Sequence, residues 1–520
     1  MKSYKLLLVI VIAGGLLGGC DDEFLTTVPH DRISEATFWK TDNDFILAVN
    51  ALYSTLYGWQ SLYLDAASDN AWAQKSFSDW YPLGNGSADA TAVIPNQFWT
   101  NSYRGIYRAN EILARLEKAS SLSESIRRQV EGEARFFRAY HYMYLVNLFG
   151  DVPLVTKVIT PEEARKIPRT HRNEVANLIL DDLEIAASLL PEFYPQSDYG
   201  RITKWAALAL KARAALYEAR WAEAADAAKR VIDSGRFCLY PDYINLFRYA
   251  GEGSCEAILV DRRMKNERPH SAFTTFGPRS LGGGSDVVPL RSLVDSYYMI
   301  DGLPISASPL YDPDNPYANR DLRLYGTLLY PGAEFAGIVY NSLPDSPTPD
   351  RVGNDWNATA TGYQMIKYVD PADKDDVSNS GIDIQLIRYA EVLLTYAEAK
   401  IELNEVDNTV YDAINQVRAR AGLSPVPSGL SQDSLRAIVR HERRVELALE
   451  GLRLFDIRRW RIAEDVMNGP TYGIDYKDEN GETKTIFAEM RRFTIPRDYL
   501  WPIPLKEIEL SEVLEQNPGW

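Results

Sequence analysis

RITKWAALALKARAALYEARWAEAADAAKRVIDSG, residues 201–235, decides the fold class. Residues 201–219 form an alanine-rich run with small side chains at close spacing, as a packed helix requires. Residues 221–234 form a second run across a short break, and Gly235 stops it. The two runs make a helix–turn–helix unit of 34 residues, the length of one tetratricopeptide repeat. Alanines at the contact let two such helices approach closely.

Similar units lie on either side. In 123–149 the apolar positions Ile126, Val130, Phe137, Tyr144 and Leu148 step by three, four or seven, and Gly150 followed by Pro153 marks the stop. Residues 96–149 read as one helix pair, and 387–404 with 408–420 as another. Residues 431–467 add two helices broken near Gly451. Between about 236 and 386 Gly, Pro, Asp, Asn and Ser become frequent, as in GGGSD and YDPDNPYANRD, which predicts a long irregular region with short strands. A second loop-like stretch covers about 58–95. Long ordered loops on a rigid scaffold are where binding residues concentrate.

The chain of 520 residues is 46% hydrophobic and 25% charged, an ordinary globular composition. Its net charge of −16 argues against nucleic-acid binding and against docking on anionic lipid through a basic face. The N-terminus reads MKSYKLLLVIVIAGGLLGGC. Two lysines precede an apolar run of fourteen residues, too short to span a bilayer and right for a signal peptide over 1–19. Leu17-Gly18-Gly19-Cys20 looks like a bacterial lipobox, so Cys20 is the expected lipidation site and membrane anchor. Asp21-Asp22-Glu23 resemble an acidic surface-export tag. Cys238 and Cys255 remain; they can pair in an oxidising compartment, but buried free thiols are the expectation.

Motifs for catalysis are missing. Neither G-x-S-x-G nor G-x-x-x-x-G-K-[ST] occurs, and Val445 stands where H-E-x-x-H needs its second histidine. Asp312, Asp314 and Asn315 start like a calcium loop, but Pro316 breaks the ligand spacing, so no cofactor is expected and calcium is only allowed. Glu442, Glu446 and Glu450 share i, i+4, i+8 spacing among Arg440, Arg443 and Arg444. Arginine neighbours lower carboxylate pKa values, so a structural ion-pair network is expected rather than a general acid.

Aromatic residues are more informative. Residues 57–99 hold nine of them, four being tryptophans. Trp72, Trp80 and Tyr81 sit among Asp69, Asn70, Gln74, Asp79 and Asn85 without a helical period. A flat ring can pack on the C–H face of a sugar while neighbouring amides and carboxylates bond its hydroxyls. Such residues also serve as core plugs.

Five stretches carry a resemblance. They are CDDEFLTTVPHDRISEATFWKTDNDFILAVNALYSTLY (20–57), EARFFRAYHYMYLVNLFGDVPLV (133–155), the opening stretch, IRYAEVLLTYAEAKIELNE (387–405) running on to HERRVELALEGLRLFDIRRW (441–460), and LWPIPLKEIELSEVLEQNPGW (500–520). In this order they resemble the SusD/RagB-like outer-membrane lipoproteins of Bacteroidota. The resemblance implies a mainly α, SusD-like fold of tetratricopeptide-like helix pairs with a long loop-rich ligand-binding region and few short strands. One domain over 20–520 is expected, with a helical frame at about 41–57, 96–235 and 387–467 and loops at about 236–386. It further implies a non-catalytic surface protein that captures an oligosaccharide for a SusC-like TonB-dependent transporter at the outer membrane. Peptide cargo is the alternative, and a surface glycan hydrolase a more distant one. The expected carbohydrate-binding residues are Asp69, Trp72, Trp80, Tyr81, Phe276, Arg279 and Trp356, chosen for their loop context.

Overall fold

Residues 38–520 are described here by a computed structural model; the leader, Cys20 and the acidic run after it lie outside them. Ten helices carry the frame. They are α1 (Asp42–Tyr53), α2 (Val93–Lys118), α3 (Glu124–Phe149), α4 (Arg172–Leu189), α5 (Lys204–Tyr217), α6 (Trp221–Asp233), α7 (Tyr389–Glu402), α8 (Asn408–Arg420), α9 (Gln432–Glu446) and α10 (Arg453–Arg459). Their ends follow the sequence. Thr41 caps α1 through a capping box with Asp44. Thr203 caps α5, and Asp407 and Ser431 cap α8 and α9. Gly150 closes α3 with φ at 76°, a conformation that favours glycine.

From α2 to α6 each helix packs against the next in the chain, and α6 then packs against α7. Such nearest-neighbour stacking is the logic of a solenoid. Between α6 and α7 lie some 150 residues of loops, so the irregular region is an insertion into a continuous helical stack. Its ends are tied by the antiparallel strands β1 (Ala257–Asp261) and β2 (Ile384–Arg388). The alanines of the opening stretch behave as expected: Ala206, Ala207, Ala214, Ala215, Ala224, Ala227 and Ala228 are almost wholly buried. Arg213 in α5 crosses to α7 and meets Glu391 through two bonds of 2.6 and 2.5 Å.

Two features differ from expectation. Cys238 and Cys255 are exposed and paired in a disulfide, with Cα atoms 5.3 Å apart. The Cys238 N–H also donates to the Cys255 carbonyl, so the backbone already brings the two residues together. After α10, outside both the expected helical frame and the expected loop region, strands β3 (Gly469–Lys477) and β4 (Thr483–Arg491) form a hairpin.

The Glu442–Glu446–Glu450 set is a buried ion network, but its partners are not its neighbours on α9. Glu446 meets Arg388, Arg420 and Arg323; Glu442 meets Arg323 and Arg418; Glu450 meets Arg388 and Lys367. Arg440, Arg443 and Arg444 face other sides of the helix and pair with Glu402, Asp456 and Asp69. Burial alone would raise the Glu446 pKa, but the three guanidiniums outweigh it and hold the carboxyl well below its usual range. The network clamps the start of α7 and the end of α9 to the insertion.

Candidate functional site: an exposed aromatic platform

Most of the expected ring faces are not available to a ligand. Trp80 is 7% exposed, stacked on Tyr63 at 5.7 Å and edge-on to Phe98 and Trp501. Phe276 is fully buried against Tyr63. Trp72 lies in a short strand opposite Val288 and packs with Leu290, Ala360 and Ala488. Tyr81, half-buried, joins the same small cluster. Asp69 is buried between Arg453, at 2.8 Å, and Arg444, at 2.9 Å. Burial would raise its pKa, but the two arginines hold it far down, and both lock the loop to α9 and α10. For Asp69, Trp72, Trp80 and Phe276 the expected surface placement is therefore corrected: long-range packing uses the faces that local polarity had marked as open.

Trp356 is different. It is 64% exposed, and beside it stands Phe77, 68% exposed, with ring centroids 5.4 Å apart and planes tilted by 55°. An exposed pair of large rings on a folded surface is uncommon and points to contact with something else.

Three loops build this platform. Gln74 accepts from the Ala360 N–H and donates to the Ala358 carbonyl, at 2.6 and 2.8 Å, which staples residues 74–77 to the Trp356 loop. Lys75 reaches Asn357 at 2.9 Å and Asp286 at 2.5 Å, and its ammonium lies 5.0 Å from the Trp356 ring centroid. Arg279 donates to Asp355 at 3.0 Å, and the other Asp355 oxygen accepts the N–H groups of Asn357 and Ala358. Burial works against the Asp355 carboxylate, but Arg279 and these N–H groups outweigh it and leave its pKa below the ordinary value.

The chemistry follows from the inventory. Two rings offer an open apolar surface. Amide and charged groups at its edge offer exchangeable hydrogen bonds. Lys75 pairs with Asp286 and Arg279 with Asp355, so the charges that brace the platform are matched, while Asp79 stands exposed two residues from Phe77. A neutral polyhydroxylated ligand fits that balance better than a strongly charged one. Asp355, its pKa held below the ordinary value, is not poised as a general acid, and Asp286 is tied to Lys75. Among the described residues no group of His, Cys, Asp and Glu could hold a metal ion, and Asp312 and Asp314 lie exposed in a turn.

Of the expected set Trp356 and Arg279 lie on this platform, beside Phe77, Lys75, Asp286, Asp355 and Asn357, which were not among the expected residues. Phe77 carried a usable signal, standing alone between Ser76, Ser78 and Asp79. No local signal joins residue 75 to residue 357.

Residues 255–520 match the family model described as the SusD family, and residues 39–216 match one described as starch-binding associating with outer membrane. A SusD-like carbohydrate binding protein from Bacteroides fragilis is similar to 91% of this chain and 99% of its own, at 31% identity and a TM-score of 0.85. A second SusD-like protein from Bacteroides fragilis aligns over 95% of this chain and all of its own, at 26% identity and a TM-score of 0.82. SusD-like protein P25 of Formosa agariphila is 27% identical over 95% of both chains.

Proposed function

This chain belongs to the SusD family, and from that premise we propose that it is a non-catalytic glycan-binding lipoprotein. It holds an oligosaccharide on the Trp356–Phe77 platform at the outer membrane and passes it to a SusC-like TonB-dependent transporter. The observation that carries this reading is the exposed ring pair, fixed by three stapled loops and edged by hydrogen-bonding groups. The carbohydrate-binding relative from Bacteroides fragilis supports the ligand class. Anchoring through Cys20 rests on the lipobox, and membrane association is supported by the description of the second family match. The transporter partner rests on the family alone.

The matched ion pairs of the platform favour a neutral glycan over a strongly charged ligand. An open face with exchangeable bonds gives micromolar to millimolar affinity, roughly −8 to −4 kcal/mol, which suits a protein that must release its cargo. The test is a soluble chain from residue 21 onward, screened by affinity electrophoresis against plant, host and microbial glycans, with a protein digest as the counter-panel. Retardation by a glycan class, with no product after long incubation, supports the reading. Binding confined to the digest would replace it with peptide capture.

A further inference from the structure

A second candidate lies away from the platform, where residues 291–320 face the 469–491 hairpin. Two cavities of about 540 and 500 Å³ meet there, sharing a wall at Arg291 and Asp295. Each falls within the few hundred to one thousand Å³ typical of small-ligand sites. Neither is lined by Phe77 or Trp356.

The lining is aromatic and polar. Tyr311, Tyr317, Tyr363 and Tyr476 line one cavity, and Tyr472 the other. The tyrosine wall is ordered before any ligand arrives: Tyr317 stacks on Tyr330 at 4.2 Å, and the Tyr325 hydroxyl donates to the Tyr317 carbonyl. Between the cavities Arg291 bonds both Asp295, at 3.2 Å, and Asp475 on the hairpin, at 2.6 Å. Asp475 also accepts from the Thr485 hydroxyl. A guanidinium held by two carboxylates offers paired donors and acceptors to neighbouring hydroxyls.

The charges set the ligand class. Asp295, Asp314, Asp345 and Asp475 outnumber Arg291, Arg320 and Lys477 around the cavity. Arg320 is further occupied by the carbonyls of Val294, Tyr297 and Pro316. Lys477 bonds the Thr483 hydroxyl and has no carboxylate partner, so an acidic sugar would meet that one ammonium against four carboxylates.

We propose that this cleft is a second saccharide site, taking neutral or amino sugars in preference to uronate and sulfated ones. It rests on the glycan-binding reading but not on the Trp356 assignment. Two sites on one chain would hold a long glycan at two points, which raises avidity without tighter contacts at either.

The test uses the chain from residue 21 onward with maltoheptaose, laminarihexaose and chitohexaose as neutral probes and hexagalacturonate as the acidic one. Titration calorimetry and amide hydrogen exchange are run on the unaltered chain, on Trp356→Ala, and on Trp356→Ala with Tyr311→Ala and Tyr476→Ala added. The expected result is that Trp356→Ala still binds a neutral probe and still shows slowed exchange at 311–317 and 472–485. Adding the two tyrosine changes weakens that residual binding at least tenfold, with an unchanged helical signal, and hexagalacturonate slows neither segment. If Trp356→Ala abolishes all binding and no probe slows those segments in the unaltered chain, the cleft proposal falls while the glycan reading stands. If no neutral probe binds the unaltered chain, both fall.

Discussion

Trp80 and Trp356 each follow a polar pair, Ser78-Asp79 and Asn354-Asp355, and have opposite fates. Trp80 is enclosed by Tyr63, Phe98 and Trp501, drawn from distant parts of the chain. Trp356, 64% exposed, has Phe77 beside its ring and the Lys75 ammonium over it. Trp80→Ala should therefore cost about 3–5 kcal/mol of stability in urea unfolding, as for other buried large aromatics. Trp356→Ala should leave the unfolding midpoint unchanged and act on binding alone. Gly105 gives a second contrast at this scale. A Cβ there would stand 2.1 Å from the His141 ring, so Gly105→Ala forces two packed helices apart. Overpacking of this kind costs about 1–3 kcal/mol, read from the same unfolding curves. What the sequence conveyed at single residues was type and local company. Which ring faces solvent is decided by partners hundreds of positions away, and only Trp356 and Arg279 of the expected set lie on the platform.

Elements were far more legible. The alanine pair, the cap residues and the glycine stops are local signals, and α3, α5, α6 and α8 lie within a few residues of their sequence-derived bounds. The 469–491 hairpin lacks such a local signal: Gly469, Pro470 and Gly473 interrupt the alternation of its first strand. Gly473 has a reason in the fold: a Cβ would meet the Thr361 carbonyl at 2.0 Å, so the strand can pass there only without a side chain. Two predictions belong to this scale. Reducing the Cys238–Cys255 disulfide, which closes a separation of 17 residues, should lower stability by about 3 kcal/mol without loss of helix. Glu446→Ala should cost about 3–5 kcal/mol, because Arg323, Arg388 and Arg420 would lose a shared buried partner. Urea titration monitored by circular dichroism reads both. An equal loss from an exposed control such as Glu162→Ala would argue against the network as the cause.

For the whole molecule, buried titratable groups set the response to pH. Burial depresses His141 and His441 to about 3 and His270 to about 4. The unfolded chain takes up those protons below about pH 6.5, so stability is lost as pH falls from there. Asp65, which burial pushes up to about 6, and the raised carboxyls of Glu133 and Asp295 act in the opposite sense. The net slope is therefore smaller than three histidines alone would give, and it keeps their sign: the urea midpoint should be lower at pH 5 than at pH 7. A midpoint that is level or higher at pH 5 would show that the carboxyls dominate. At this scale the account also joins stack to site. The helices form a continuous frame, and the loops inserted between α6 and α7 meet the 74–80 turn to display the rings. The most direct test of that claim is calorimetric titration of the unaltered chain and Trp356→Ala, from residue 21 onward, with the glycan that retards the unaltered chain most. The account predicts at least a tenfold weaker affinity at the platform in the variant, about 1.4 kcal/mol or more, with an identical unfolding curve. Equal affinity and equal stoichiometry in the two proteins would contradict it.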